Sequence, residues 1–150
     1  MATETAIFRI DGVSKSYGGV KSLNGVTLEA GLNEYVSLLG PSGSGKSTFL
    51  KLAYAELKPT SGRVTLFDRD VTALSRDDVA RARRRIGIVH QDCKFLDHLT
   101  LAANMALPFT VSDRESDPQD LDDLLGWVGL DHLSGALPPQ LSGGERQRAA

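Results

Sequence analysis

A single cysteine, Cys93, stands among the 150 residues, so no disulfide can close within the chain, which fits a reducing compartment. No apolar run comes near the ~18 residues that span a bilayer. The opening MATETAIFRI lacks a basic head leading into an apolar core, the mark of a secretory leader. These absences predict a cytoplasmic chain whose dealings with a membrane run through a partner. Seventeen lysines and arginines nearly balance nineteen aspartates and glutamates, leaving a formal charge of −2; no global basic field points to nucleic acid. His90, His98 and His132 are too scattered for a metal site. Internal repeats and low-complexity segments are missing as well.

What is present suffices for one domain with a real core, since 41% of the residues are hydrophobic. Charge falls in blocks: Arg76, Arg81, Arg83, Arg84 and Arg85 form a basic stretch. Asp113, Glu115, Asp117, Asp120, Asp122 and Asp123 form an acidic one. Both read as solvated faces rather than binding sites. Residues 6–11 and 23–30 alternate apolar and polar and predict half-buried strands, with turns at Gly18-Gly19 and Ala30-Gly31. The apolar runs at 35–39 and 86–90 predict short buried strands, and 63–68 a further strand.

Helices are expected over 47–55, with Phe49, Leu50, Leu52 and Ala53 on the apolar face, and from Ser75 onward. There a serine cap is followed by Asp78, and Arg83 and Arg84 close the last turn, which suits the helix dipole. From 99 to 137 the pattern turns helical. Leu121, Leu124, Leu125 and Val128 make one apolar stripe that belongs in a core, and Trp127 beside it needs no special role. The order of elements predicts an α/β fold with a helical subdomain over about residues 95–140.

The densest chemistry lies in Gly40-Pro41-Ser42-Gly43-Ser44-Gly45-Lys46-Ser47-Thr48. Gly40, Gly45, Lys46 and Ser47 have the spacing of a phosphate-binding loop. Phosphate oxygens need several donors converging from one side; glycine lets backbone N–H groups approach, and a following helix adds its unpaired first amides. Lys46 can reach the β- and γ-phosphates, and the Ser47 hydroxyl can ligate Mg²⁺. A ligand-free loop could share this composition, but the strand before it and the helix after it favour nucleotide. Leu141-Ser142-Gly143-Gly144-Glu145 is the second such stretch. Ser142 and Glu145 make a capping box, and the two glycine amides between them offer a further anion site.

Together these two stretches resemble the ABC-type ATPases, whose phosphate loop (Walker A) is followed at a distance by an LSGG signature. The resemblance implies a P-loop NTPase, RecA-like α/β core with N-terminal antiparallel strands and an inserted helical subdomain. It divides the chain into a nucleotide-binding core over 1–94, a helical subdomain over 95–141 and the start of the signature helix over 142–150. It also implies ATP and Mg²⁺ as ligands. Tyr17 matches the aromatic that stacks on adenine. Gln91 matches the glutamine that contacts Mg²⁺ and the attacking water. Ser142, Gly143, Gly144 and Glu145 match the signature that binds the γ-phosphate held by the opposite subunit of a head-to-tail homodimer.

Residues 54–62 and 89–100 are similar to the cell-division ATP-binding branch of the family. That branch implies an integral membrane partner, contacted between Gln91 and Leu99, and a peripheral place on the inner face of the plasma membrane. Phe95, Leu96 and Leu99 either pack inward as core, or Phe95 or Leu96 is exposed for that contact. Short importer and lipoprotein-release ATPases are alternatives, as is a non-hydrolytic module that grips nucleotide as a structural signal. A soluble family member acting in DNA repair or translation is a further one, though repair proteins interrupt this domain with long insertions. The chain departs from the family in one respect. No apolar strand ending in Asp-Glu (Walker B and the catalytic base) and no switch histidine follow the signature. It therefore reads as an N-terminal portion, truncated before the Walker B strand, with no catalytic residue of its own and no activity alone.

Overall fold

Phe8 and Ile10 point into a core while Arg9 and Asp11 face solvent, the period-two pattern of a strand with one wet face. The computed structural model describes residues 6–111 and 118–150; the acidic positions Asp113, Glu115 and Asp117 lie outside them. The chain forms two compact units, Met1–Ile86 and Gly87–Ala150.

In the first unit β1 (Phe8–Tyr17) and β2 (Val20–Ala30) form an antiparallel hairpin. Gly18 and Gly19, at φ 53° and 85°, supply the left-handed backbone that a two-residue hairpin loop requires. β3 (Ser61–Leu66) pairs antiparallel with the other edge of β1, and β4 (Arg69–Asp70) pairs with β3, giving the order β2-β1-β3-β4. The β1–β2 register shifts near Val13. There Gly12 N donates to Thr27 Oγ1 and Gly25 N to Ser14 Oγ, each at 3.0 Å, so the amides displaced from the ladder stay bonded.

Helix α1 (Lys46–Ala53) lays Phe49 and Leu52 on this sheet. Phe49 meets Phe8 edge to face, centroids 5.8 Å apart. Ile10, Leu52 and Val64 are fully buried, and each contributes roughly 1.5–3 kcal/mol through burial. Helix α2 (Arg76–Arg83) begins at Ser75, whose Oγ accepts from Asp78 N at 3.1 Å. The serine hydroxyl in turn donates to Asp78, and Arg69 donates to the same carboxylate. These bonds, Ser75 first and Arg69 next, hold the Asp78 carboxyl down at about 2.

Two expected strands are absent. Residues 35–39 and 86–90 run without strand pairing, and Tyr35 and Leu39 are each 91% exposed. A parallel strand owes its stability to ladders on its flanks and helices over its faces, and apolar composition alone supplies neither. Among the described residues no strand pairs with either run; of residues 35–39, only Leu38 packs against the core of this unit.

The second unit is helical, as expected: α3 (Leu101–Val111), α4 (Pro118–Trp127) and α5 (Gly143–Ala149), with single 3₁₀ turns at Asp131–Leu133 and Pro138–Gln140. Leu101, Leu125, Leu130 and Leu141 form its core, with Leu121 and Val128 packed against them. The apolar stripe of α4 thus faces inward, while Trp127 is exposed.

Candidate phosphate loop and signature site

Three glycines shape the loop ahead of α1. Gly40, Gly43 and Gly45 have φ of 155°, 80° and 92°. Gly45 is doubly constrained, because a Cβ there would lie 2.5 Å from Ser22 O and 2.9 Å from a Leu23 methyl carbon. The loop therefore closes directly onto the β2 backbone, an approach only glycine permits. Ser22 Oγ and Thr48 Oγ1, 2.9 Å apart, add a hydrogen bond from the same strand to α1.

Lys46 turns its ammonium into the loop. Nζ donates to Gly40 O at 2.8 Å, to Pro41 O at 2.7 Å and to Ser44 Oγ at 3.3 Å. Pro41, Ser42 and Gly43 form the exposed rim. Ser47 is exposed, and its hydroxyl bonds to no group among the described residues. Beneath the loop lies a hollow lined by Leu23, Leu38, Leu39, Lys46 and Phe49, among others.

The N-termini of α1, α2 and α5 differ in a way that bears on function. At α2 and α5 a serine side chain caps the first turn and an acid follows within it. At α1 the N-cap is Gly45, no side chain caps the amides and the first turn holds no acid. Its orphan N–H groups and positive dipole end are left to an external anion.

In the second unit Ser142 and Glu145 form the expected capping box. Ser142 N and Oγ both donate to Glu145 Oε2 at 2.7 Å, and Glu145 N donates weakly to Ser142 Oγ at 3.4 Å. The Ser142 hydroxyl, then its amide, holds the Glu145 carboxyl below its ordinary range. A Cβ on Gly143 would meet nothing within 4 Å, and one on Gly144 only the end of the Arg148 side chain, so both backbones stand open.

Gln91 is exposed, in the turn that leads to buried Cys93. Phe95 is half-buried, with the Arg146 guanidinium 5.9 Å from its ring centre, and Leu96 is 45% exposed. Tyr17, at the end of β1, is also about half exposed, with Lys15 Nζ 5.4 Å from its ring centre. The structure thus gathers Gly40 to Thr48 into one loop and the first turn of α1 in the first unit, the unit that also holds Tyr17. Gln91 and Ser142 to Glu145 belong to the second.

One organising residue escaped sequence reasoning. Asn104 is buried, accepts from Leu96 N at 2.7 Å, and donates to Leu96 O, Leu99 O and Thr100 O. It thereby fixes the segment after Phe95 onto α3. A polar residue inside the otherwise apolar LAANMAL was the available signal. Among the described residues no cluster of His, Cys, Asp and Glu could hold a metal, and no helix is long and apolar enough to cross a membrane.

A glycine-shaped loop opening an uncapped helix beside an antiparallel sheet, followed by a helical unit with an LSGG turn, defines a P-loop ATPase cassette. The chain belongs to the ABC transporter family, whose sequence pattern matches residues 23–150. It is 39% identical to the cell division ATP-binding protein FtsE of Bacillus subtilis, over 92% of this chain and 62% of that protein. It is 38% identical to the sulfate/thiosulfate import ATP-binding protein CysA of Yersinia pseudotuberculosis, over 94% of this chain and 39% of that one. Among solved structures it resembles the ATP-binding cassette MJ0796, a dimer in a post-hydrolysis state bound to ADP and Pi. There the TM-score is 0.86 at 31% identity, over 95% of this chain and 66% of that one. The chain thus spans less than two thirds of each of these relatives.

Proposed function

We propose that residues 1–150 are the nucleotide-gripping portion of an ATP-hydrolysing ABC subunit that drives an integral membrane partner. The observation that carries this reading is the uncapped N-terminus of α1 behind Gly40, Gly43 and Gly45, with Lys46 turned into the loop. A polyphosphate meets converging amides there, and it offers Lys46 an anionic acceptor stronger than two neutral carbonyls. Pro41, Ser42, Ser44 and Thr48 line or brace the same loop. Tyr17 stacks on the adenine.

The free, exposed hydroxyl of Ser47 fits Mg²⁺, a cation that takes one or two protein oxygens beside phosphate and water. Ser47 would hold it. When bound, Mg²⁺ neutralises charge developing on the transferring phosphoryl group. Lys46 and the loop amides stabilise the same charge. In the head-to-tail homodimer the open amides of Gly143 and Gly144, with Ser142 and Glu145, complete the other subunit's ATP site. Residues 1–150 hold no Asp-Glu strand end and no histidine after the signature, and a polypeptide limited to them turns over no ATP. Each ~1.4 kcal/mol of lost transition-state stabilisation is about tenfold in rate.

The likeness to FtsE supports an FtsX-like membrane partner in cell division. The exposed Leu96 beside half-buried Phe95 suits a contact between Gln91 and Leu99. Such a subunit lies in the cytoplasm, against the inner face of the plasma membrane. The similar identity to CysA favours an importer ATPase as the second reading. The test is nucleotide binding and phosphate release by the protein expressed from its complete reading frame. Lys46→Ala should abolish turnover and weaken ATP binding; wild-type binding and turnover in that variant would overturn the reading.

A further inference from the structure

Helix α1 has only eight residues, Lys46–Ala53, too few to be stable without outside support. Phe49 and Leu52 fasten one face to the sheet, but an apolar contact alone is non-directional. The far end of the helix is held differently. The chain leaves α1 through Tyr54 and then Ala55, which is buried in the left-handed region at φ 58°. Arg83, the last residue of α2, reaches this end: Nε donates to Tyr54 O at 3.1 Å and Nη2 to Ala55 O at 3.0 Å, both part-buried. One planar guanidinium thus spans two successive carbonyls and sets a full positive charge at the negative end of the helix dipole. Its neighbours act elsewhere: Arg81 pairs with Asp78, and Arg85 stacks on Phe67 at 3.8 Å.

We infer that Arg83 is a positioning residue for the nucleotide loop: it fixes the C-terminal end of α1, so that the amides and Lys46 at the other end present one geometry to the phosphates. In a two-turn helix a shift at one end is a shift at the other. Small misplacements of a binding constellation carry large penalties. The inference rests on the proposal that residues 40–48 bind ATP.

The test uses the protein expressed from its complete reading frame and compares Arg83→Ala, Arg83→Lys and Arg85→Ala. ATP affinity and thermal melting are measured for each, with binding read well below every melting point. Lysine keeps the charge but cannot bridge two carbonyls in one plane. Arg85→Ala removes a stacked guanidinium two residues on without touching α1. Arg83→Ala should weaken ATP binding about tenfold, Arg83→Lys should fall between it and the parent, and Arg85→Ala should bind as the parent does. If Arg83→Ala does not fold, Arg83→Lys carries the comparison. Parent-like affinity in the Arg83 variants, or an equal loss in Arg85→Ala, would overturn the role given to Arg83. A parent that fails to bind ATP would instead sink the nucleotide reading itself.

Discussion

Gly43 and Gly45 stand two residues apart, both left-handed, yet they answer to different constraints. At Gly43, φ is 80° and a Cβ would meet nothing within 4 Å, whereas at Gly45 it would collide with the Ser22 carbonyl oxygen. Gly43→Ala therefore costs only the conformational penalty, about 1–2 kcal/mol. Gly45→Ala adds a backbone clash and should cost about 3 kcal/mol or more. Urea denaturation of the two variants checks this; equal losses would mean that the loop does not rest on β2. The glycine spacing was legible in the sequence, because it follows from what a phosphate demands. The contact with Ser22 was not, since it joins residues from two separate elements. The same holds for Arg83 and Asn104, whose partners are mainly backbone carbonyls and carry no residue-type signature.

At the scale of the element, caps were the most legible feature and strand pairing the least. Ser75 with Asp78 and Ser142 with Glu145 are local patterns and form as expected. The hairpin of β1 and β2 likewise needs only alternation and two turn glycines. Residues 35–39 and 86–90 failed as strands because an apolar run states a preference for burial, not a pairing partner.

Capping also carries a pH dependence. The Asp78 carboxyl is held at about 2, below its ordinary 3.8. A depressed carboxyl stabilises fully above its unfolded value, and that stabilisation is lost as pH falls through the folded one. The start of α2 should therefore hold down to about pH 4 and loosen as the pH falls toward 2. Ser75→Ala removes the largest cause of the shift, so Asp78 should titrate at higher pH, and the lost cap should cost about 1 kcal/mol at neutral pH. An NMR titration of the Asp78 carboxyl reads the shift directly; an unchanged midpoint in Ser75→Ala would contradict the assignment to the serine bond.

For the whole molecule, the first unit carries the proposed nucleotide loop, and the helical unit carries the LSGG turn and the proposed partner contact. Asn104 bonds the segment from Leu96 to Thr100 to α3, so Leu96 is presented from a fixed backbone rather than from a loose loop. Leu96→Ala should lose co-purification with the proposed membrane partner while ATP binding and the melting temperature stay near the parent's. A fall in soluble yield or melting temperature would show that Leu96 supports the fold instead.

The proposed head-to-tail arrangement makes the sharpest demand, because it assigns Lys46 and Ser142 of one chain to two different ATP molecules. The deciding measurement pairs ATP affinity with sedimentation velocity in a non-hydrolysable ATP analogue, for Lys46→Ala and Ser142→Arg in the protein expressed from its complete reading frame. Ser142→Arg should bind nucleotide as the parent does and remain monomeric, while Lys46→Ala should lose affinity. Equal loss of affinity in both variants, or a nucleotide-bound dimer of Ser142→Arg, would contradict the account.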